Sequence, residues 1–149
     1  MIIDVNKLKQ QGKTESDFNF TFSPERRLID LPNAEIVGGV EVKGKVRLDG
    51  KKAFVEGKVS FVIEGECSRC LAPARAEVEA ELTAEYSGEA GAEYPVRAGL
   101  IDLTEPAEEA VVINSPMIIY CREDCKGVCF GCGVNLNEGV CKCKTNREV

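Results

Sequence analysis

The sequence predicts an α+β fold: a mainly antiparallel β-meander, curled into a barrel-like sheet, with one helix and a cysteine-rich C-terminal segment. Three observations predict it. Apolar and polar residues alternate along residues 40–48, 55–63 and 76–82, the period-2 pattern of antiparallel strands with one buried face. Residues 102–114 carry helix signals instead. Six of the eight cysteines crowd into residues 121–143, where periodicity stops.

Residues 1–34 read as irregular, apart from a short strand over Asp17-Phe18-Asn19-Phe20-Thr21-Phe22 that Ser23-Pro24 breaks. The hairpin follows at residues 36–65. Val40, Val42, Val46 and Leu48 point one way, with Glu41, Lys43, Lys45 and Arg47 between them. Asp49-Gly50 is a favoured turn, because glycine takes positive φ without a Cβ clash. Val55, Val59, Phe61 and Ile63 then face inward on the returning strand. A third run, Val78, Ala80 and Leu82 against Glu77, Glu79 and Glu81, places Cys67 and Cys70 in the connection between two strands. Residues 87–99, rich in Gly, Ala and Glu, look like a mobile loop.

The helix is expected over 104–114. Thr104 can cap it, Pro106 suits its first turn, and Glu105, Glu108 and Glu109 favour the positive end of its dipole. Ala107, Ala110, Val111 and Asn114 share one side, and the helix ends before Pro116. Met117 to Tyr120 is an apolar link. The chain thus divides into a β-rich domain, residues 1–120, and a cysteine-rich tail, residues 121–149, packed on it.

The 149 residues have an ordinary globular balance, 44% hydrophobic and 30% charged, without Trp or His. The absence of His excludes His-based catalysis and mixed Cys/His metal sites. The N-terminus lacks a basic start followed by an apolar run, and no stretch approaches the ~18 apolar residues that span a bilayer. A cytoplasmic protein is expected. The net charge of −6 is uneven: residues 66–120 carry three basic against eleven acidic side chains, and residues 121–149 five against four. The acidic middle third repels phosphate backbones.

In a reducing compartment, clustered cysteines are metal ligands or redox centres rather than structural disulfides. Cys67-Ser68-Arg69-Cys70 and Cys129-Phe130-Gly131-Cys132-Gly133 are C-x-x-C pairs, whose two intervening residues let both sulfurs face one point. Cys121 and Cys125, and Cys141 and Cys143, supply two further close pairs. Eight thiolates divide into two tetrahedral S4 zinc sites, or one site and spares. The preferred division is a local zinc-ribbon-like finger, Cys129, Cys132, Cys141 and Cys143, and a long-range site, Cys67, Cys70, Cys121 and Cys125. Two structural zinc ions are the implied cofactors. A segment with so few apolar residues needs such a staple to fold. The rivals are a thioredoxin-type dithiol and an iron–sulfur cluster. The first expects the motif to open a helix in a βαβ unit, whereas Cys67 follows a hairpin strand.

Other groups are weaker candidates. Glu77, Glu79 and Glu81 lie in a row on a wet strand face. Arg26-Arg27 and Lys51-Lys52 suit solvated turns. Lys142, Lys144 and Arg147, beside the finger, are the best RNA-facing candidates. No phosphate-binding, dinucleotide-binding or nucleophile-elbow motif occurs.

The order Cys67-Ser68-Arg69-Cys70-Leu71, Asp102-Leu103 before Glu108-Glu109, Cys121 to Asn137 with its four cysteines, and closing Cys141 and Cys143 resembles the YceD family across nearly the whole chain. Many members have Pro where this chain has Phe130, and some lack the last cysteines. The resemblance implies a role in accumulation or processing of large-subunit (23S) ribosomal RNA. The expected function is a non-enzymatic, zinc-binding ribosome-biogenesis factor whose partner is a ribosomal protein or a large-subunit rRNA precursor. The alternatives are a zinc-stapled adaptor without RNA contact and a thiol–disulfide redox protein.

Overall fold

A computed structural model describes residues 1–143. Its elements are β1 (Ile2–Asp4), α1 (Val5–Gln10), β2 (Glu15–Phe22), β3 (Glu35–Asp49), β4 (Lys52–Glu66), β5 (Pro73–Ser87), β6 (Tyr94–Pro95), β7 (Leu100–Asp102) and α2 (Thr104–Asn114). The class is α+β, dominated by sheet. Five strands lie in the order β2-β3-β4-β5-β6, antiparallel except for the β5–β6 pair, and β1 pairs with β7 separately.

The long hairpin forms where the alternation places it, closed by the two-residue loop Gly50-Lys51. Val40, Val42 and Val46 of β3, Val55, Val59, Phe61 and Ile63 of β4, and Ala80 and Leu82 of β5 are all buried. α2 lays Ala107, Ala110 and Val111 on β5 and β4. One apolar core results, and it runs on into Cys67, Cys70, Ile119 and Cys125. The core therefore ends at the cysteines that close the β4–β5 connection.

Gly44 and Gly57 face each other across β3 and β4. The backbones approach so closely that a Cβ on Gly44 would lie 2.2 Å from the Glu56 carbonyl oxygen, and one on Gly57 2.4 Å from that of Lys43. Only glycine fits either position.

Six expectations are corrected. The sheet is not a barrel: it is open, because β2 and β6 are its unjoined edges and β6 is only two residues long. There are two helices among the described residues, not one. The N-terminal stretch is ordered as β1 and α1, where the Asp4 carboxylate accepts from the Lys7 N–H at 2.9 Å and Val5 and Leu8 are buried. Six residues are too few to display a helical period. β2 begins at Glu15, ahead of the aromatic alternation.

Residues 87–99 are not merely a loop. Tyr94 is buried against Tyr86, 5.5 Å between ring centroids, and its hydroxyl donates to Glu109 of α2. Desolvation, then the Glu109 carboxylate, raises the Tyr94 pKa well above the ordinary phenol value. Thr104 does not cap α2 with its side chain. The Asp102 carboxylate accepts from the Thr104 N–H at 2.9 Å and from its hydroxyl at 2.7 Å. No helix of the described residues is long and apolar enough to cross a membrane.

Candidate metal centre

All eight cysteines are free thiols. The chain gathers their sulfurs into two groups, Cys67, Cys70, Cys121 and Cys125, and Cys129, Cys132, Cys141 and Cys143, with every sulfur in a group within 4.8 Å of the others. These are the two groups that the spacing suggests. Lys142 is exposed beside the second group; Lys144 and Arg147 lie outside the described residues.

The first, proximal cluster joins elements far apart in sequence. β4 ends at Glu66, and the chain turns through Cys67-Ser68-Arg69-Cys70 before β5. The Leu71 N–H donates to the Cys67 carbonyl at 3.0 Å, and the Arg69 N–H donates to Cys67 Sγ at 3.4 Å. Residues after α2 return to this knuckle. The Ser68 N–H donates to the Ile119 carbonyl at 2.7 Å, and the Ile119 N–H donates to Ser68 Oγ at 3.2 Å. This clamp, with Ile119 buried beside it, sets Cys121 Sγ 3.5 Å from Cys70 Sγ and Cys125 Sγ 3.6 Å from Cys67 Sγ.

Arg69 tightens the same junction. Its Nη1 donates to the Cys125 carbonyl at 3.0 Å, and its guanidinium lies over the Tyr120 ring, 4.2 Å from the centroid. Arg69→Ala is expected to lower the stability of the cysteine-rich segment by about 2 kcal/mol, from one charged hydrogen bond and one cation–π contact. Arg69→Lys recovers only part, because an ammonium lacks the planar face that stacks. Hydrogen exchange of residues 119–129 checks both.

The second, distal cluster repeats the knuckle pattern. The Gly133 N–H donates to the Cys129 carbonyl at 2.8 Å, and the Gly131 N–H donates to Cys129 Sγ at 3.4 Å. Gly133 takes φ 73°, the conformation its place after the knuckle suggests. A bridge between Val128 and Asn135 brings the chain back, and the tail then sets Cys141 Sγ 3.1 Å from Cys129 Sγ and 3.8 Å from Cys132 Sγ. This group is more exposed than the first.

The thiols of each group are pushed apart in acidity. Desolvation opposes ionisation of Cys67, but the N–H groups of Cys70, Cys121 and Arg69 bring it down to about 6. Desolvation and then the thiols of Cys70, Cys125 and Cys67 push Cys121 up to about 12. In the distal group the Cys132 N–H, the Cys141 thiol and the Gly131 N–H hold Cys129 at about 6. Cys141, Cys132 and Cys129 push Cys143 up to about 12. Four sulfurs so close cannot all become anions without a cation among them, because like charges at this range repel.

The donor sets fit such a cation. Sulfurs held about 2.3 Å from one tetrahedral ion stand about 3.8 Å apart. The proximal separations of 3.5 and 3.6 Å are close to that, while the Cys129–Cys141 edge of 3.1 Å would have to open slightly. Both clusters can hold a metal ion. Sequence reasoning missed three supporting side chains, Ser68, Arg69 and Asn137. The two asparagines two residues apart, Asn135 and Asn137, were the available signal, since such side chains bond to nearby backbone.

A family model described as "Large ribosomal RNA subunit accumulation protein YceD" matches residues 55–148, a stretch that holds all eight cysteines. An uncharacterized protein of Mycobacterium bovis is 30% identical over 152 residues, covering 91% of this chain and 70% of its own length. One from Mycobacterium tuberculosis matches equally, and one from Mycobacterium leprae is 29% identical over 124 residues, covering 76% of this chain and 57% of its own. No solved structure matches. With the matched stretch running from the second hairpin strand through both knuckles, and a relative of such identity spanning nine-tenths of the sequence, the chain belongs to the YceD family.

Proposed function

We propose that the protein is a cytoplasmic, zinc-stapled factor that supports accumulation of the large-subunit ribosomal RNA by binding, without catalysis of its own. The observation that carries this reading is the convergence of two complete sets of four thiols. Soft thiolates in a tetrahedral S4 arrangement select zinc. Each set fills all four coordination positions with protein, so such an ion would be structural and leave no place for water or substrate. The family's description supplies the process, large ribosomal RNA subunit accumulation.

On this reading, residues 1–120 are the β-rich body and residues 121–149 a metal-stapled tail. The partner is a ribosomal protein or precursor rRNA of the large subunit. The exposed acids Glu77, Glu79 and Glu81 on β5 disfavour RNA there, which directs contact to the cysteine-rich end. The exposed apolar side chains Ile113, Met117 and Ile118 next to that end favour a protein partner.

Protein purified untagged and without reductant is expected to contain two zinc ions per chain and no reactive thiol. Absence of metal together with four disulfides would remove the reading. Co-sedimentation with large-subunit precursors tests the partner: survival after RNase identifies a protein contact, and loss with rising salt identifies a phosphate contact.

A further inference from the structure

We propose that Asn137 couples the two cysteine clusters, so that an ion held in the distal one tightens the grip of the proximal one. The inference rests on the reading of both clusters as metal sites, and goes beyond it by making them cooperative.

The geometry is specific. Asn137 lies in the loop between Cys132 and Cys141, both in the distal cluster. Yet its side chain reaches the proximal cluster, where Nδ2 donates to Cys125 Sγ at 3.4 Å. Its Oδ1 accepts from the Lys126 N–H at 2.8 Å. That backbone donor fixes which end of the amide is oxygen, and so turns the NH2 group toward the sulfur. Nδ2 also donates to Asn135 Oδ1 at 2.9 Å, and the same Oδ1 accepts from the Asn137 N–H at 3.0 Å. The loop is tied to residues 127–129 by the Leu136 N–H to the Gly127 carbonyl, 2.9 Å, and the Cys129 N–H to the Val134 carbonyl, 2.9 Å.

The consequence follows from where the loop is anchored. Its two ends, Cys132 and Cys141, have sulfurs 3.8 Å apart. An ion between them closes the loop and removes the freedom it has when the distal thiols are apart. Asn137 is then already placed when the proximal thiolates gather, so the ordering cost of that hydrogen bond falls on the distal ion. A donor N–H to a metal-bound thiolate delocalises its charge and orients the sulfur, the task of groups behind the ligands in other metal sites. Asn137 is in this sense a positioning residue, not a ligand. Reciprocity requires that an ion in the proximal cluster tighten the distal one by the same factor.

Cadmium is a suitable probe, because 113Cd gives one resonance per S4 site and chelator competition gives each affinity. Proximal affinity is measured in the full chain and in Cys132→Ser/Cys141→Ser, which disables the distal cluster. The ratio between the two is expected to be about tenfold, the lower end of what groups behind metal ligands contribute. In Asn137→Asp the carboxylate still accepts from the Lys126 N–H but cannot donate to sulfur, and the ratio is expected to fall to about one. Asn137→Ala should do the same if the aspartate charge perturbs folding. A tenfold ratio that persists in both variants would overturn the role of Asn137. A ratio near one in the unaltered chain would overturn the coupling and leave two independent metal sites standing. A chain that binds no cadmium would sink the metal reading itself.

Discussion

Replacing Cys70 with serine, or stripping metal with a chelator, is expected to release residues 115–143 from the sheet while β3, β4 and β5 stay protected from hydrogen exchange. The segment after α2 buries little that would hold it otherwise: Ile119 and Cys125 are its buried side chains among the described residues. Met117, Phe130 and Val140 are exposed. Structural zinc contributes on the order of 10 kcal/mol to folding of small thiolate modules, far more than two buried side chains supply. The sheet keeps its own core of valines, Phe61, Ile63 and Leu82, with α2 across it. Cys132→Ser should give a narrower result, opening residues 129–143 and leaving the junction at Ser68 and Ile119 closed. Exchange protection that vanishes from residues 40–64 together with the tail would contradict this modular picture. A tail that stays protected without metal would contradict the need for an ion.

Gly57→Val is expected to destabilise the sheet by about 3 kcal/mol or more, at the upper end of overpacking costs. The new Cβ would stand 2.4 Å from the Lys43 carbonyl oxygen and 2.9 Å from Gly44 Cα. Both are backbone atoms of the paired strand, so no side-chain rotation relieves the clash. Gly44→Val meets the Glu56 carbonyl at 2.2 Å and should cost at least as much. Glu56→Val, one residue away on the exposed face, is the control and should change stability by no more than about 0.5 kcal/mol. Denaturant midpoints compare the three. A Gly57→Val midpoint equal to that of the control would show that the strands can separate there at no cost.

The cysteine groups and the hairpin were legible for the same reason. Val42, Val46, Val55 and Val59 alternate with charged residues, and that period of two follows from strand geometry whatever packs on it. Cys67 and Cys70, like Cys129 and Cys132, carry a spacing that turns two sulfurs to one point within a single knuckle. The Gly133 conformation was legible too, because it belongs to that knuckle. Two parts were not. α1 shows no period over six residues, and Tyr94, a lone aromatic in a Gly-, Ala- and Glu-rich run, gives no sign of the Tyr86 ring and Glu109 carboxylate that hold it.

The sequence by itself determined the four strands β2 to β5, the second helix, the four close cysteine pairs and the family, since each is written in residues near one another along the chain. Only the tertiary structure decided which sulfur lies beside which across more than fifty residues, as Cys67 meets Cys125 and Cys70 meets Cys121. It alone decided that the sheet stays open, that Gly44 and Gly57 meet, and that Asn137 reaches a sulfur outside its own cluster. The physical reason is that periodicity and turn chemistry act over a few residues. Long-range contact instead depends on which loops close and which apolar faces find each other, and on that short spacings are silent.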